Sequence, residues 1–234
     1  MEGGLTEAHR IYGQLWNKTA PLLKSGGMRI DPLLRNKTGD LRRGVTLVAW
    51  PDAAVQRKVE EFLREAAAIC PNQYFYKPAE LHLTVLAVIP GSEFWREQIH
   101  RLPAFQAVLD QVFENRRQFT VQFRGVTASP DAVMVQGFPT DDSLAQLRDK
   151  LRDEFRRCNL GENLDRRYKA TTAHLTSMRF SNPQANWKKL LDFLQAHRET
   201  DFGQTYFQSL QLIWSDWYAS IETMRVIQEY PLKD

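Results

Sequence analysis

The apolar positions of the chain fall into short runs with strand character, separated by longer stretches with helical spacing. Residues 45–50 form a brief apolar run with β-branched members, which predicts a buried strand. Pro51 and Asp52 then open a helix striped by Val55, Val59, Phe62, Leu63, Ala66 and Ile69, and Pro71-Asn72 ends it. Residues 81–89 predict a second strand. Regular alternation puts Leu81, Leu83, Val85, Ala87 and Ile89 on one face and His82, Thr84, Leu86 and Val88 on the other. A helix over 105–113 follows, then strands over 119–123 and 132–138 around a Ser129-Pro130-Asp131 turn. Asp141-Asp142 opens a helix striped by Leu144, Leu147, Leu151 and Phe155. A polar loop over 159–167 leads to a strand over 171–180, and Asn182-Pro183 caps a helix with Trp187, Leu190, Leu191 and Leu194 inward. Strands over 207–214 and 223–229 close the chain as an antiparallel pair.

This order is α+β with a coarse internal duplication. Residues 1–42 stand outside it. Ile11, Leu15, Trp16, Leu22 and Leu23 have partial helical spacing, the run Lys24-Ser25-Gly26-Gly27 breaks it, and residues 31–43 are polar and turn-rich. The expected organisation is an N-terminal extension, 1–42, packed on a main domain, 43–234.

Composition narrows the class. A chain of 234 residues with a formal charge of +3 has core enough to fold alone and lacks a strong general affinity for nucleic-acid backbone. Cys70 and Cys158 lie far apart without metal-type spacing, which predicts two reduced thiols at buried helix ends and a cytoplasmic setting. No secretory signal and no membrane span is expected.

The chemistry concentrates in a tripeptide that occurs twice, His82-Leu83-Thr84 and His174-Leu175-Thr176. On a strand, residues i and i+2 share a face, so each copy presents an imidazole beside a hydroxyl. Imidazoles in a cleft titrate near neutrality and exchange protons, and threonine hydroxyls donate to developing charge on phosphoryl oxygens. One histidine with a hydroxyl two residues on arises readily by chance; two identical copies in apolar strands do not. His197, just after a helical stripe, reads as a helix-end or surface histidine. Other chemistries lack their motifs. There is no His-Glu-x-x-His, Cys-x-x-Cys or Gly-x-Ser-x-Gly, and Gly26-Gly27 is not followed by Lys-Ser/Thr.

These motifs resemble the 2H phosphoesterase superfamily, which carries two His-x-Thr/Ser motifs, one per lobe. Glu80 to Leu86 looks like the family's first motif strand and Ala173 to Arg179 like its second, including a following arginine. Many relatives have a proline where Ala173 stands. The resemblance spans about residues 43–232. It implies a bilobed, duplicated fold: two antiparallel sheets flanking a central cleft, motif strands central, helices outside. It implies a metal-independent phosphodiesterase, without cofactor, acting on 2',3'- or 1'',2''-cyclic or 2',5'-linked nucleotide or RNA-end phosphates. His82, Thr84, His174 and Thr176 would be catalytic. Tyr168 and Trp217, near the motif or closing strands in sequence, are the aromatic candidates to stack on a substrate base; Arg179, matched to the family's arginine, would contact phosphate, although it has the wrong parity on a regular strand to share the His174 face. A monomer is expected. The alternative is a non-catalytic module of the same fold that holds RNA ends or nucleotides.

Overall fold

The computed structural model describes residues 2–165 and 169–233. In chain order the elements are α1 (Glu2–Ser25), β1 (Arg43–Ala49), α2 (Ala53–Ile69), β2 (Tyr74–Phe75), β3 (Leu83–Ser92), α3 (Arg96–Ile99) and α4 (Leu102–Phe113). Then follow β4 (Phe119–Ser129), β5 (Ala132–Pro139), α5 (Ser143–Arg157), β6 (Leu175–Arg179), α6 (Trp187–Ala196), β7 (Asp201–Phe207), β8 (Ser209–Asp216) and β9 (Arg225–Pro231).

Local chemistry sets most of these boundaries. The Asp52 carboxylate caps α2 by accepting from the Val55 N–H at 2.9 Å, a contribution of about 1 kcal/mol. Asn186 caps α6 in the same way through Lys189 N–H, so the helix begins later than Asn182-Pro183; Asn182 instead closes a turn onto Gln184 N–H. α1 continues through Pro21, which removes one helical hydrogen bond, and ends where Gly26 takes φ +73° and Gly27 N–H reaches Leu22 O. Cys70 and Cys158 end α2 and α5, Cys70 buried and Cys158 half-buried, both as free thiols.

The strands form one sheet in the order β7-β4-β5-β6-β3-β1-β8-β9, with β2 added beside β6, and all strand pairs are antiparallel. The sheet divides into two four-strand halves, β7-β4-β5-β6 and β3-β1-β8-β9. They meet at a single ladder pair, Leu83 with Leu175. The two expected sheets are these halves. Consecutive strands β7 and β8 lie in different halves. Gln118 N–H donates to Lys233 O and Lys233 N–H to Arg116 O, bringing the end of β9 back to the start of β4 and curling the sheet.

Leu83 and Leu175 point to the convex face, where the main core forms with α2, α4, α5 and α6. The concave face carries His82, Thr84, His174 and Thr176. Not every helix lies outside. Thr127 pairs with Met134, which pairs with Thr176, so all three share the concave face. There the Thr127 hydroxyl donates to Tyr12 O, and Ala8 and Tyr12 pack on Phe138. The N-terminal helix α1 therefore covers the concave face of one half. Residues 217–224 fold over the other, where Ala219 packs on Val48 and Ile213.

Candidate active site

The two motif histidines stand immediately before β3 and β6, flanking the Leu83–Leu175 pair. Antiparallel pairing sets His82 opposite Thr176 and His174 opposite Thr84. Strand geometry then places the two histidine Cα atoms roughly 8 Å apart, one step across the ladder and two along it. All four motif side chains are partly exposed in the concavity.

Beyond that single pair the strands separate, and carbonyls that a ladder would have used need other donors. Arg148, on α5 and 3% exposed, fills the gap. Its guanidinium donates to Thr84 O at 2.7 Å, Val85 O at 3.0 Å and Thr172 O at 3.0 Å. One buried cation thus ties both motif segments together. On the other side, Gly137 lets the chain before His174 approach closely: a Cβ there would lie 1.8 Å from Ala173 O.

Regular alternation fails in both motif strands, at the same place. β3 carries a bulge at Val85, and β6 one between Thr176 and Met178. Ser177 satisfies the second bulge by donating to Val133 O at 3.1 Å. Leu86 and Met178 are consequently buried on the convex side, and the residue after each returns to the concave face. This corrects the sequence expectation twice. Leu86 does not share the His82 face; Ala87 does. Arg179 does share the His174 face, because the bulge reverses its parity. The two halves are equivalent here except that one offers Ala87 and the other Arg179.

Arg179 Nε donates to the Tyr76 hydroxyl at 2.9 Å. Its guanidinium lies 5.9 Å from the Tyr218 ring, and its charge acts on both imidazoles. Tyr218 leans on Tyr74, and Lys37 from the N-terminal extension bonds the Tyr74 hydroxyl and Ser220. Glu80 is buried. Its carboxylate accepts from Tyr74 OH, Lys77 N–H and Ile221 N–H, which holds the 217–224 loop to the site. Trp217 packs on Gly91 near the far end of β3 and carries the Arg42 guanidinium at 4.6 Å. Trp50 lies 5.8 Å from His82, edge-on, and is held by Gln211. Tyr168 lies outside the described residues. His197 caps α6 among Phe62 and Phe193, as a helix-end histidine.

The imidazoles are held through Nδ1. His82 Nδ1–H donates to Glu80 O at 2.7 Å; a carbonyl only accepts, so Nε2 carries the lone pair. His174 Nδ1 meets the Thr172 hydroxyl at 2.9 Å. Burial lowers the pKa of both rings. The Arg179 charge adds to this at His82, where the bond to Glu80 O partly opposes it. At His174 the charges of Arg148, His82 and Arg179 bring the value to about 4. Both rings are therefore neutral near pH 7. Among the described residues no cluster of three or more histidine, cysteine or carboxylate side chains is arranged to hold a metal ion, and no helix is long and apolar enough to cross a membrane.

Arg148, Trp50 and Thr172 escaped the sequence reading as site residues. Arg148 and Arg152 sit on the apolar side of α5, a buried-charge pattern that signals partners without naming them.

The curled sheet has counterparts of known structure. TT0787 of Thermus thermophilus aligns with a TM-score of 0.61 at 16% identity, over 81% of this chain and 97% of that one. E. coli LigT complexed with 3'-AMP aligns with a TM-score of 0.58 at 14% identity, over 82% and 99%. A structure described as a phosphoesterase gives 0.57 at 14%, over the same shares. These likenesses establish the fold. No curated protein sequence matches the chain. The family model of the 2'-5' RNA ligase superfamily matches residues 50–217, a segment that holds both histidine motifs, Arg148 and Arg179. With most of its length matched and its fold shared, the chain belongs to the 2'-5' RNA ligase superfamily, the 2H phosphoesterases.

Proposed function

We propose that this protein is a metal-independent phosphodiesterase acting on 2',3'- or 1'',2''-cyclic or 2',5'-linked nucleotide and RNA-end phosphodiesters. The observation that carries the reading is the pair of imidazoles flanking one ladder pair, with Arg179 on the same face. Family membership supports phosphoester chemistry, and the crystallised complex of LigT with 3'-AMP supports a nucleotide as ligand class.

One neutral histidine takes a proton from water as the water oxygen attacks phosphorus. The other, as imidazolium, gives its proton to the departing ribose oxygen. Thr84, Thr176 and Arg179 donate to the non-bridging oxygens as charge builds there. In the free protein both rings resist protonation, so the phosphate's negative charge must raise one of them. Substrate binding then supplies the acid as well as the electrophile.

The test is a panel of 2',3'-cyclic nucleotides, 2',5'-linked oligonucleotides and ADP-ribose 1'',2''-cyclic phosphate, run with and without chelator. Wild type is expected to hydrolyse at least one, with H82A and H174A each slower by about 10²–10⁴. Full activity in both variants, or complete loss with EDTA, refutes the mechanism. Binding without turnover assigns the chain to the non-catalytic alternative.

A further inference from the structure

Glu80 is 1% exposed, and the three groups that bond its carboxylate all donate: Tyr74 OH at 3.2 Å, Lys77 N–H at 3.0 Å and Ile221 N–H at 3.1 Å. That is the pattern of an ionised carboxylate, and a buried charge needs a counter-charge. Lys77 supplies only its backbone N–H, since its ammonium pairs with Glu222.

The cation comes from the N-terminal extension. Lys37 Nζ donates to the Tyr74 hydroxyl at 2.9 Å and to Ser220 Oγ at 2.7 Å. It stands 4.1 Å from the Tyr74 ring centroid and 5.4 Å from that of Tyr218. An ammonium only donates, so the Tyr74 oxygen accepts from Lys37 and its single proton goes to Glu80. Lys37 and Glu80 are thus an ion pair bridged by one phenol. The extension is itself fastened just past β6, where Asp31 N–H donates to Phe180 O at 3.0 Å and Arg35 Nε to Ser181 O at 2.8 Å.

The Glu80 carboxylate joins two pieces of the site. Through Lys77 N–H it closes the turn Pro78–Glu80, whose last carbonyl accepts from His82 Nδ1–H at 2.7 Å. Through Ile221 N–H it holds the 217–224 loop, which sets the Tyr218 ring 5.9 Å from the Arg179 guanidinium.

We propose that Lys37, outside the segment matched by the family model, is a positioning residue whose charge, passed through Tyr74 to Glu80, latches the His82 turn and the 217–224 loop together. The latch rests on these bonds alone; its effect on rate rests on the proposed phosphodiesterase reading.

The experiment uses the full chain. Amide hydrogen exchange at Ile221 reads one end of the latch. Tyr218 and Ser220 are internal controls, because their N–H groups donate to Asp216 Oδ1 instead. The His82 Nδ1–H resonance reads the other end. K37M is expected to speed Ile221 exchange about tenfold or more beyond any change at the two controls, and to shift the His82 resonance. Y74F, which removes the bridging hydroxyl, is expected to match K37M. S220A, which leaves the bridge intact, is expected to stay near wild type, and K37R to restore most of the protection. In an E80Q background K37M is expected to add nothing, since the charge it neutralises is gone. In turnover K37M and Y74F are each expected to lower kcat about tenfold with KM within about threefold. Ile221 exchange and a His82 resonance unchanged in folded K37M and Y74F overturn the proposal, as does an S220A variant that reproduces K37M when Y74F does not. If K37M fails to fold, Y74F and K37R decide it. An inactive wild type with Lys37-dependent Ile221 exchange refutes the enzymatic reading and leaves the latch standing; an active wild type with indifferent exchange refutes the latch.

Discussion

Replacing Arg148 with methionine removes the cation that joins the two motif segments while keeping the apolar stem volume. Three carbonyl acceptors at 2.7–3.0 Å lose their donor: Thr84 O, Val85 O and Thr172 O. Hydrogen bonds to charged groups contribute about 1.5–3 kcal/mol each, and relaxation into the gap recovers part of that, so the net loss is about 3–6 kcal/mol. For a chain of this size the expected fall in Tm is about 6–24 °C. The substitution also changes pH dependence. In the folded protein His174 protonates only near about 4, against 6.5 for the ordinary group. The unfolded chain therefore binds the proton first. This stabilisation is fully present above pH 6.5 and is lost as pH falls from 6.5 toward about 4, on the order of 2 kcal/mol after screening by water in the cleft. Without the Arg148 charge the His174 pKa rises and the acid loss shrinks. Thermal melts at neutral and acidic pH, with an NMR titration of His174, measure both effects. A Tm within about 2 °C of wild type and an unmoved His174 titration would refute the assignment of Arg148 as the clamp.

Two further outcomes follow from the same geometry. The pH profile of kcat/KM is expected to be bell-shaped with its maximum on the acid side of 6.5, because both imidazole values are lowered in the free protein, that of His174 to about 4; a maximum above pH 7.5 contradicts it. Gly137→Ala sets a Cβ 1.8 Å from Ala173 O, so the chain before His174 must move. Lower Tm and loss of most turnover are expected, whereas a variant with wild-type melting and kinetics shows that this close approach is dispensable.

How much of this was readable in advance depended on how locally each feature is determined. The stripe on α2 and its Asp52 cap lie within one helical segment, and hydrophobic period and capping chemistry suffice there. β7 escaped detection because it is an edge strand broken by Gly203 at φ +97° and a register shift opposite Phe123–Arg124, which disrupts the period of two. β2 is two residues long and exists only because β6 offers an edge. Residues 171–174 have strand character by composition, yet Arg148 takes the Thr172 carbonyl that a ladder would have used.

The site divides in the same way. Two His-Leu-Thr tripeptides are visible in one dimension because the side-chain period brings imidazole and hydroxyl to one face over three residues, too short a span for a bulge to intervene. Five residues along, parity had already failed for Arg179, since a bulge is a relation between strands and leaves no local mark. The fold sets Trp217 on Gly91 and Arg42 and Tyr218 beside Arg179, placements that neighbouring positions in the sequence do not distinguish. The sequence by itself determined most of the elements, the family resemblance and the paired His-Leu-Thr motifs, because these rest on short-range periodicity and on side-chain identity. Only the tertiary structure decided which side chains share the cleft, that Arg148 ties the two motif segments together, and that an N-terminal helix packs on the concave face. Those depend on strand register and on contacts between residues distant in sequence.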